Sequence, residues 1–485
     1  MIEHRRRTRP RIGLFGVGHE TYWSQFEGLL NNLMKYHNDL KAILPPDIEI
    51  IDYGMVDTNE KAFSALNDMR AGGLDILFCN MLTYATSSVF APIIRDIGVP
   101  VVLTALQPRS AMDYTVASTF MQLENDNICS VPEFTGVAIR MGRAVNDVII
   151  GKLYGDEQAK RELADWCDIA RVLHDLKGAR IGLMGHVLES MYDMHADPSA
   201  VSAAFGLHVP LIEPDYLLAC YTQVTEREIE EKAAYILEEF DTPHPGKDPV
   251  TRKLTDADLR QAAKSAVALD KLVERYRLTG LAYYYEGLEN SPHREICTTL
   301  IVGNSILNGQ GFPMCGEYDL KTCVAMLIMD RLGMGGSFAE FHPFDFDEDF
   351  ILVGHDGPHH TAIANGKPVL RSLIKYHGKP GHGASVEFNL KEGPITMLGI
   401  TQTFEGKMKL VIGEGQSVKG PIPPTGNTNT RGFFLPDTRS FIKKWVMEGP
   451  THHYALGIGH RAELIKKIGR ALGIESVVVR VPPGP

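Results

Sequence analysis

Asp75-Ile76-Leu77-Phe78-Cys79-Asn80 is the stretch that decides the fold. Four apolar side chains in a row, with no polar alternation, fit a strand covered on both faces, as in a parallel sheet. Val99–Thr104 (VPVVLT) repeats the pattern, and Arg11–Gly16 and Ile48–Tyr53 are strand-like runs upstream. Helical stretches lie between them, at about Trp23–Lys41 and at Glu60–Ala71. Strands alternating with helices predict a parallel sheet with helices on both faces. Ligands on such sheets sit beyond the carboxyl ends of the strands. Here those ends carry Gly16–Thr21, Met81–Thr86 and Leu106–Asp113.

A second α/β unit opens near Lys177, where Ala179–Gly185 (ARIGLMG) repeats the strand-into-glycine pattern. A charged helical region runs from Glu226 to Tyr276, interrupted at Thr242–Pro249. Leu278–Tyr285 reads as the next strand, Thr298–Asn308 and Leu320–Leu332 as helices. The last third changes to short alternating runs, Ser385–Leu390, Ile395–Thr403 and Met408–Ile412. The turn residues Lys391–Gly393 and Glu405–Lys407 separate them, which predicts an antiparallel β-barrel. Gly420–Gly432 reads as a loop, and Arg461–Leu472 as a closing helix. The expected domains are 1–176, 177–330 and 331–485.

The chain has 485 residues, 49 basic and 60 acidic, for a formal charge of −11. That balance argues against a nucleic-acid or anionic-membrane surface. The basic run Arg5–Arg11 is expected to be a solvated tail, not a targeting signal, because Ile12–Val17 is too short for a signal core. No apolar run is long enough for a membrane span. Seven cysteines stand singly, with no CxxC pair, which fits reduced thiols in a cytoplasmic protein. Cys315 is expected to be a small packing residue. Gly16-Val17-Gly18 lacks the third glycine of a dinucleotide fingerprint, so no nucleotide site is expected.

Four places carry the chemistry: Cys315-Gly316-Glu317-Tyr318-Asp319, Gly335–Glu340 (GGSFAE), Leu352-Val353-Gly354-His355, and Thr451-His452-His453. Each is weak alone. Together, carboxylates and imidazoles at element ends with apolar neighbours suit a metal site. Two carboxylates with two imidazoles suit Mn²⁺, Co²⁺, Fe²⁺ or Mg²⁺ with positions left for substrate oxygens. His359-His360 could suggest a second metal site, but neighbours on a strand point to opposite faces and cannot easily chelate together, so they are expected to be surface histidines.

In this order, Cys315–Thr322, Ser337–Glu340, Ile351–His355 and Gly449–His453, together with Gly393–Thr403 (GPITMLGITQT), resemble the L-arabinose isomerases. The resemblance spans the chain but is thin before residue 270. It implies two flavodoxin-like parallel-sheet domains followed by a C-terminal antiparallel β-barrel domain. It also implies a divalent metal, usually Mn²⁺, on Glu317, Glu340, His355 and His453, and a sugar substrate. A homo-oligomer follows too, a hexamer or trimer-based, in which the first domain of one subunit covers its neighbour's site. Glu317 and Glu340 are then the acid–base pair of an aldose–ketose isomerisation, and His452 orients His453. His19 and Tyr285 match family positions near the sugar, and Tyr84 occupies a similar place at a strand end.

Two stretches depart from the family. His355-Asp356-Gly357-Pro358-His359-His360 replaces its HMLE text, and Gln122–Phe134 lacks its glutamine, histidine and glycine pattern. Both bear on the sugar: L-arabinose is the first expectation, with L-fucose, D-arabinose or another pentose or tetrose open. An L-fucose isomerase-like enzyme, with Asp345 or Asp347 at the metal, and a non-catalytic sugar binder are the alternatives.

Overall fold

The computed structural model describes residues 8–187, 191–243, 251–355, 357–373, 375–376, 379–380, 384–423 and 429–482. The chain separates into two compact units, one of residues 7–174 and the other running from Asp175 to the C-terminus.

In the first unit, β1 (Arg11–Val17), β2 (Glu49–Val56), β3 (Ile76–Met81), β4 (Val101–Gln107) and β5 (Asp147–Lys152) form an all-parallel sheet. Its order is β2-β1-β3-β4-β5, the flavodoxin-like winding. β3 is buried at every position, as its unbroken apolar run requires. The expected single helix over Trp23–Lys41 is two, Thr21–Gln25 and Leu29–Ile43, because the chain turns at Gly28 with φ 87°. Arg11 opens β1; the rest of the expected tail, through Arg7, lies outside the described residues.

In the second unit the chain forms β6 (Ile181–Met184), β7 (Leu211–Ile212), the short β8 (Thr251–Arg252), β9 (Gly280–Tyr283) and β10 (Met314–Cys315). Four of these make a second parallel sheet, in the order β10-β9-β6-β7. Its helix Glu226–Glu239 starts on a capping box, Thr225 with Glu228, and Asp256–Tyr276 follows it.

The strands of the last third are β11 (Gly335–Asp345), β12 (Phe350–Gly354), β13 (Val369–Leu373), β14 (Lys375–Tyr376), β15 (Lys379–Pro380), β16 (Ala384–Glu387), β17 (Gly393–Gln402), β18 (Met408–Val418), β19 (Thr430–Phe433), β20 (Tyr454–Ile458) and β21 (Glu475–Val478). β17-β20-β11-β12-β19-β18 close on themselves through the β17–β18 hairpin into a six-stranded antiparallel barrel. β21 adds to β18 in parallel, outside the ring. The expected loop Gly420–Gly432 ends early, since Thr430–Gly432 lie in β19; residues 424–428 are outside the described set.

The helix Leu320–Arg331 lies between the second sheet and the barrel and packs on β6, β9, β11, β17 and β20. All twelve of its residues are buried, including Lys321, Asp330 and Arg331. An all-round buried helix leaves no room for backbone error where it turns into β11. Gly336 has φ 109°, and a Cβ there would sit 2.8 Å from the Met326 carbonyl oxygen. Gly336→Ala is therefore expected to lower stability by about 1–3 kcal/mol, read as an earlier midpoint in urea unfolding. A midpoint equal to wild type would show that the turn yields freely.

Candidate metal and catalytic site

The site starts at the second sheet. β10 ends at Cys315, which is buried as small packing, and the chain turns through Glu317 (φ 58°) and Tyr318 (φ 63°). Two consecutive non-glycine residues in the left-handed region are costly and occur where a site fixes them. The Tyr318 N–H donates to the Tyr283 carbonyl at 2.8 Å, which ties this turn to the carboxyl end of β9. Asp319 then caps the buried helix, accepting from the Thr322 N–H at 3.0 Å and from its hydroxyl at 2.7 Å.

The barrel supplies the rest by register. Glu340 of β11 stands opposite Gly354 of β12, so His355 follows directly at the strand end. Ala339 stands opposite Tyr454 of β20, so His453 precedes it at the other flank. Phe338, on the same face of β11 as Glu340, lies under both imidazoles, with ring centroids 4.3 Å from each.

These elements bring the four expected residues together. His355 Nε2 is 3.5 Å from Glu317 Oε1 and 3.9 Å from Glu340 Oε1. His453 Nε2 is 3.7 Å from Glu317 Oε2. Glu317, His355 and His453 each offer a ligand atom within 4.8 Å of the others, and so do Glu340, His452 and His453. The Glu317 Oε2 and His453 Nε2 atoms are buried without a hydrogen-bond partner. Buried polar atoms are ordinarily satisfied, so two orphans facing each other fit a cation between them. The donor set, oxygen and nitrogen without sulfur, fits a divalent metal of the Mn²⁺ or Mg²⁺ kind.

The electrostatics agree with ligand duty. Burial works to raise the Glu317 pKa, but the His355 imidazole, then His453, hold it below the ordinary carboxylate value, so Glu317 is anionic. Burial lowers the His453 pKa and keeps its ring neutral. Its Nδ1 faces Asp319 Oδ2 at 3.2 Å, both fully buried, so the proton sits on Nδ1 and the Nε2 lone pair turns to the site. The Gly357 N–H donates to His355 Nδ1 at 3.0 Å. A ring that gives its Nε2 lone pair to a cation carries its proton on Nδ1, so loading the site costs that contact.

His452 does not bond His453. Its backbone N–H donates to Asp193 Oδ2 at 3.0 Å, and its Nδ1 lies 2.6 Å from the same oxygen. Burial opposes its protonation, but the bond to Asp193 outweighs that and raises its pKa. Tyr285 lies just past β9, its ring 6.4 Å from Tyr284, whose own ring is 4.1 Å from that of His186 and tilted to it by 31°. His19 and Tyr84 belong to the first unit. There they cluster with Tyr22, ring centroids 5.1 Å (His19–Tyr22), 6.0 Å (His19–Tyr84) and 6.5 Å (Tyr22–Tyr84). In Gln122–Phe134, Glu124 and Asn127 are spent inside that unit: Glu124 accepts from Asn32 and Tyr36, and Asn127 donates to the Met81 carbonyl.

His359 and His360 are not surface residues; both are buried. The His359 N–H donates to Ser305, the His360 N–H to Ser337, and His360 Nε2 is 3.0 Å from Asp330 Oδ1. His359 and His360 are outside any strand, and they are buried because Ser305, Ser337 of β11 and Asp330 supply partners for them. Asp345 accepts from the Asp347 and Glu348 N–H groups, closing the β11–β12 turn. Two contributors escaped the sequence reading, Asp193 and Lys321. A lysine four residues after Glu317, at the start of a helix whose middle (Cys323–Met329) is apolar, was the available signal.

Residues 335–475 match the family model for the L-arabinose isomerase C-terminal domain. The chain is 22% identical over 453 residues to an L-arabinose isomerase of Aeromonas hydrophila, covering 91% of this chain and 86% of that one. It is 22% identical over 375 residues to an L-arabinose isomerase of Bacillus subtilis, covering 75% and 72%. It is also 23% identical over 328 residues to a sulfoquinovose isomerase of Alkalicoccus urumqiensis, covering 67% and 70%. Residues 335–475 thus resemble the C-terminal domain of the L-arabinose isomerases, and most of the chain aligns at low identity with proteins of that name and with a sulfoquinovose isomerase.

Proposed function

We propose that this chain is a divalent-metal aldose–ketose isomerase. The observation that carries the reading is the pair of orphaned, buried ligand atoms on Glu317 and His453, ringed by Glu340 and His355. Glu317, Glu340, His355 and His453 would hold the metal, Mn²⁺ first. When bound, it supplies Lewis-acid polarisation of the substrate carbonyl.

The protein's own groups do the proton work. One of the two glutamates takes the proton from C2, and the C–H electron pair becomes the C1=C2 bond while the carbonyl oxygen gains a proton. The resulting enediol loses its O2 proton and receives one at C1, leaving a ketone at C2. The anionic Glu317 is suited to the base half. His355 and His453 set geometry, and Tyr285 contacts the sugar; His19 and Tyr84 are proposed to contact it from the first domain of a neighbouring subunit.

L-Arabinose is the first substrate to try, with other pentoses, tetroses and hexoses after it. A homo-oligomer, hexameric or trimer-based, accompanies the reading. Leu435 and Met447 stay largely exposed in the single chain, apolar surface that a partner chain would cover. All seven cysteines are unpaired, which suits a cytoplasmic setting. Among the described residues no helix is long and apolar enough to cross a membrane.

The test is to strip the protein with a chelator, reload it with Mn²⁺, Co²⁺ or Mg²⁺, and follow ketose formation from a panel of aldoses. Activity should vanish on stripping and return on reloading. Metal at a hundred times its Kd should also add about 2.7 kcal/mol of stability, visible as a raised Tm. Ketose formation indifferent to chelation would end the metal assignment.

A further inference from the structure

Beside Glu340 lies a cleft of about 270 Å³ whose lining includes the polar Asp193, Glu340 and His452 and the apolar Phe341, Trp445 and Pro450. It is just below the roughly 300–1,000 Å³ of pockets that take drug-sized ligands, a fitting size for a monosaccharide. A lining that combines polar groups with apolar surface suits a sugar, which has hydroxyl edges and C–H faces.

Asp193 is set there by two independent contacts. It lies in the one-turn helix Tyr192–Met194. The buried Lys321 ammonium donates to the main-chain carbonyls of Asp193 and His195, at 2.9 Å each. Both His452 contacts fall on Asp193 Oδ2, which leaves Oδ1 as an acceptor.

We propose that Asp193 is a specificity-determining residue of this cleft: Oδ1 accepts a substrate hydroxyl, and the Asp193 charge disfavours sugars that would place a sulfonate, phosphate or carboxylate against it, relative to neutral polyhydroxy aldoses. The inference rests on the isomerase reading and gives its substrate a charge class. Of the four polar lining residues, Asp193, Glu340, Thr451 and His452, two are carboxylates, and Asp193 is the one outside the proposed metal set. The His452 imidazole is committed to Asp193, and the Lys321 ammonium to two carbonyls. An anionic substituent placed against Asp193 meets like charge and no uncommitted cationic side chain among the described lining residues, so at that end of the cleft it loses hydration without replacement. The relatives pose this choice directly, since arabinose is neutral and sulfoquinovose carries a sulfonate.

The experiment compares L-arabinose, L-fucose and D-arabinose with sulfoquinovose and D-glucuronate on the metal-loaded protein. A neutral aldose should exceed both anions in kcat/KM by about 100-fold. Asp193→Ala should raise KM for that aldose by about 10-fold or more, with a smaller change in kcat, as expected for losing a hydrogen bond to a charged group. Asp193→Asn keeps an acceptor and should restore most of the KM while narrowing the neutral-to-anionic ratio. Calorimetric binding of the polyol L-arabitol checks the subsite without turnover, and should weaken in the alanine variant but not the asparagine one. A wild type that prefers sulfoquinovose or glucuronate, or an alanine variant that binds L-arabitol at full strength, overturns the proposal. Asp193-dependent L-arabitol binding with no aldose converted would instead remove the isomerase reading and leave the subsite standing.

Discussion

Glu317→Gln and Glu340→Gln are each expected to cut kcat by about 10²- to 10⁴-fold, the range for losing an acid–base group. The change is nearly isosteric, so the loss reports charge and not shape. Glu317 is the more sensitive of the two. It is anionic, mostly buried, and within 3.5 Å and 3.7 Å of the two imidazoles. Its amide replacement would place an NH₂ or a weaker acceptor where His453 Nε2 already lacks a partner. Bound metal per chain should therefore fall together with activity in Glu317→Gln, measured by elemental analysis after dialysis. Glu340 is more exposed and approaches His355 only to 3.9 Å, so Glu340→Gln should keep more metal while still losing rate. Full activity in either variant would remove the assignment of that residue.

Asp319→Asn and Asp319→Ala should separate two duties of one buried carboxylate. Asp319 caps the helix Leu320–Arg331 and also holds His453 Nδ1. Its pKa is held low: burial pushes upward, but His453, Lys321 and the Thr322 N–H together outweigh it. Asparagine caps a helix about as well as aspartate. Asp319→Asn should therefore stay folded but lose the charge that fixes the His453 tautomer, costing about 10- to 100-fold in metal affinity. Asp319→Ala should lose the same affinity and, in addition, about 0.5–2 kcal/mol of stability with the cap. Metal titration by calorimetry and urea unfolding of the stripped protein read the two effects separately. Unchanged metal affinity in both variants would show that His453 needs no orienting partner. The Asp319 contribution to stability has a definite sign with pH. A depressed folded pKa stabilises above the unfolded value near 3.8 and is lost as pH falls through the folded pKa, so only strong acid should abolish it.

The sequence by itself determined the local elements and the identity of the chemical residues. Strands such as Ile76–Met81 and Val101–Gln107 were legible because burial on both faces demands unbroken apolar runs. The barrel hairpin β17–β18 was legible because one-sided burial demands alternation, and Glu405-Gly406-Lys407 marks its turn. Glu317, Glu340, His355 and His453 could be named because their types and order carry the resemblance. What the sequence could not determine was anything set by contacts between distant segments. The pairing of β11 with both β12 and β20 decides that His355 and His453 flank Glu340, and strand register depends on tertiary packing of the whole barrel. Burial of His359 and His360, and the bonding of His452 to Asp193 instead of His453, are likewise tertiary outcomes. A histidine or a buried lysine carries no local signal of its partner. Its hydrogen-bonding needs are met by whichever chain segment the fold brings within about 3 Å, and that choice exists only after folding.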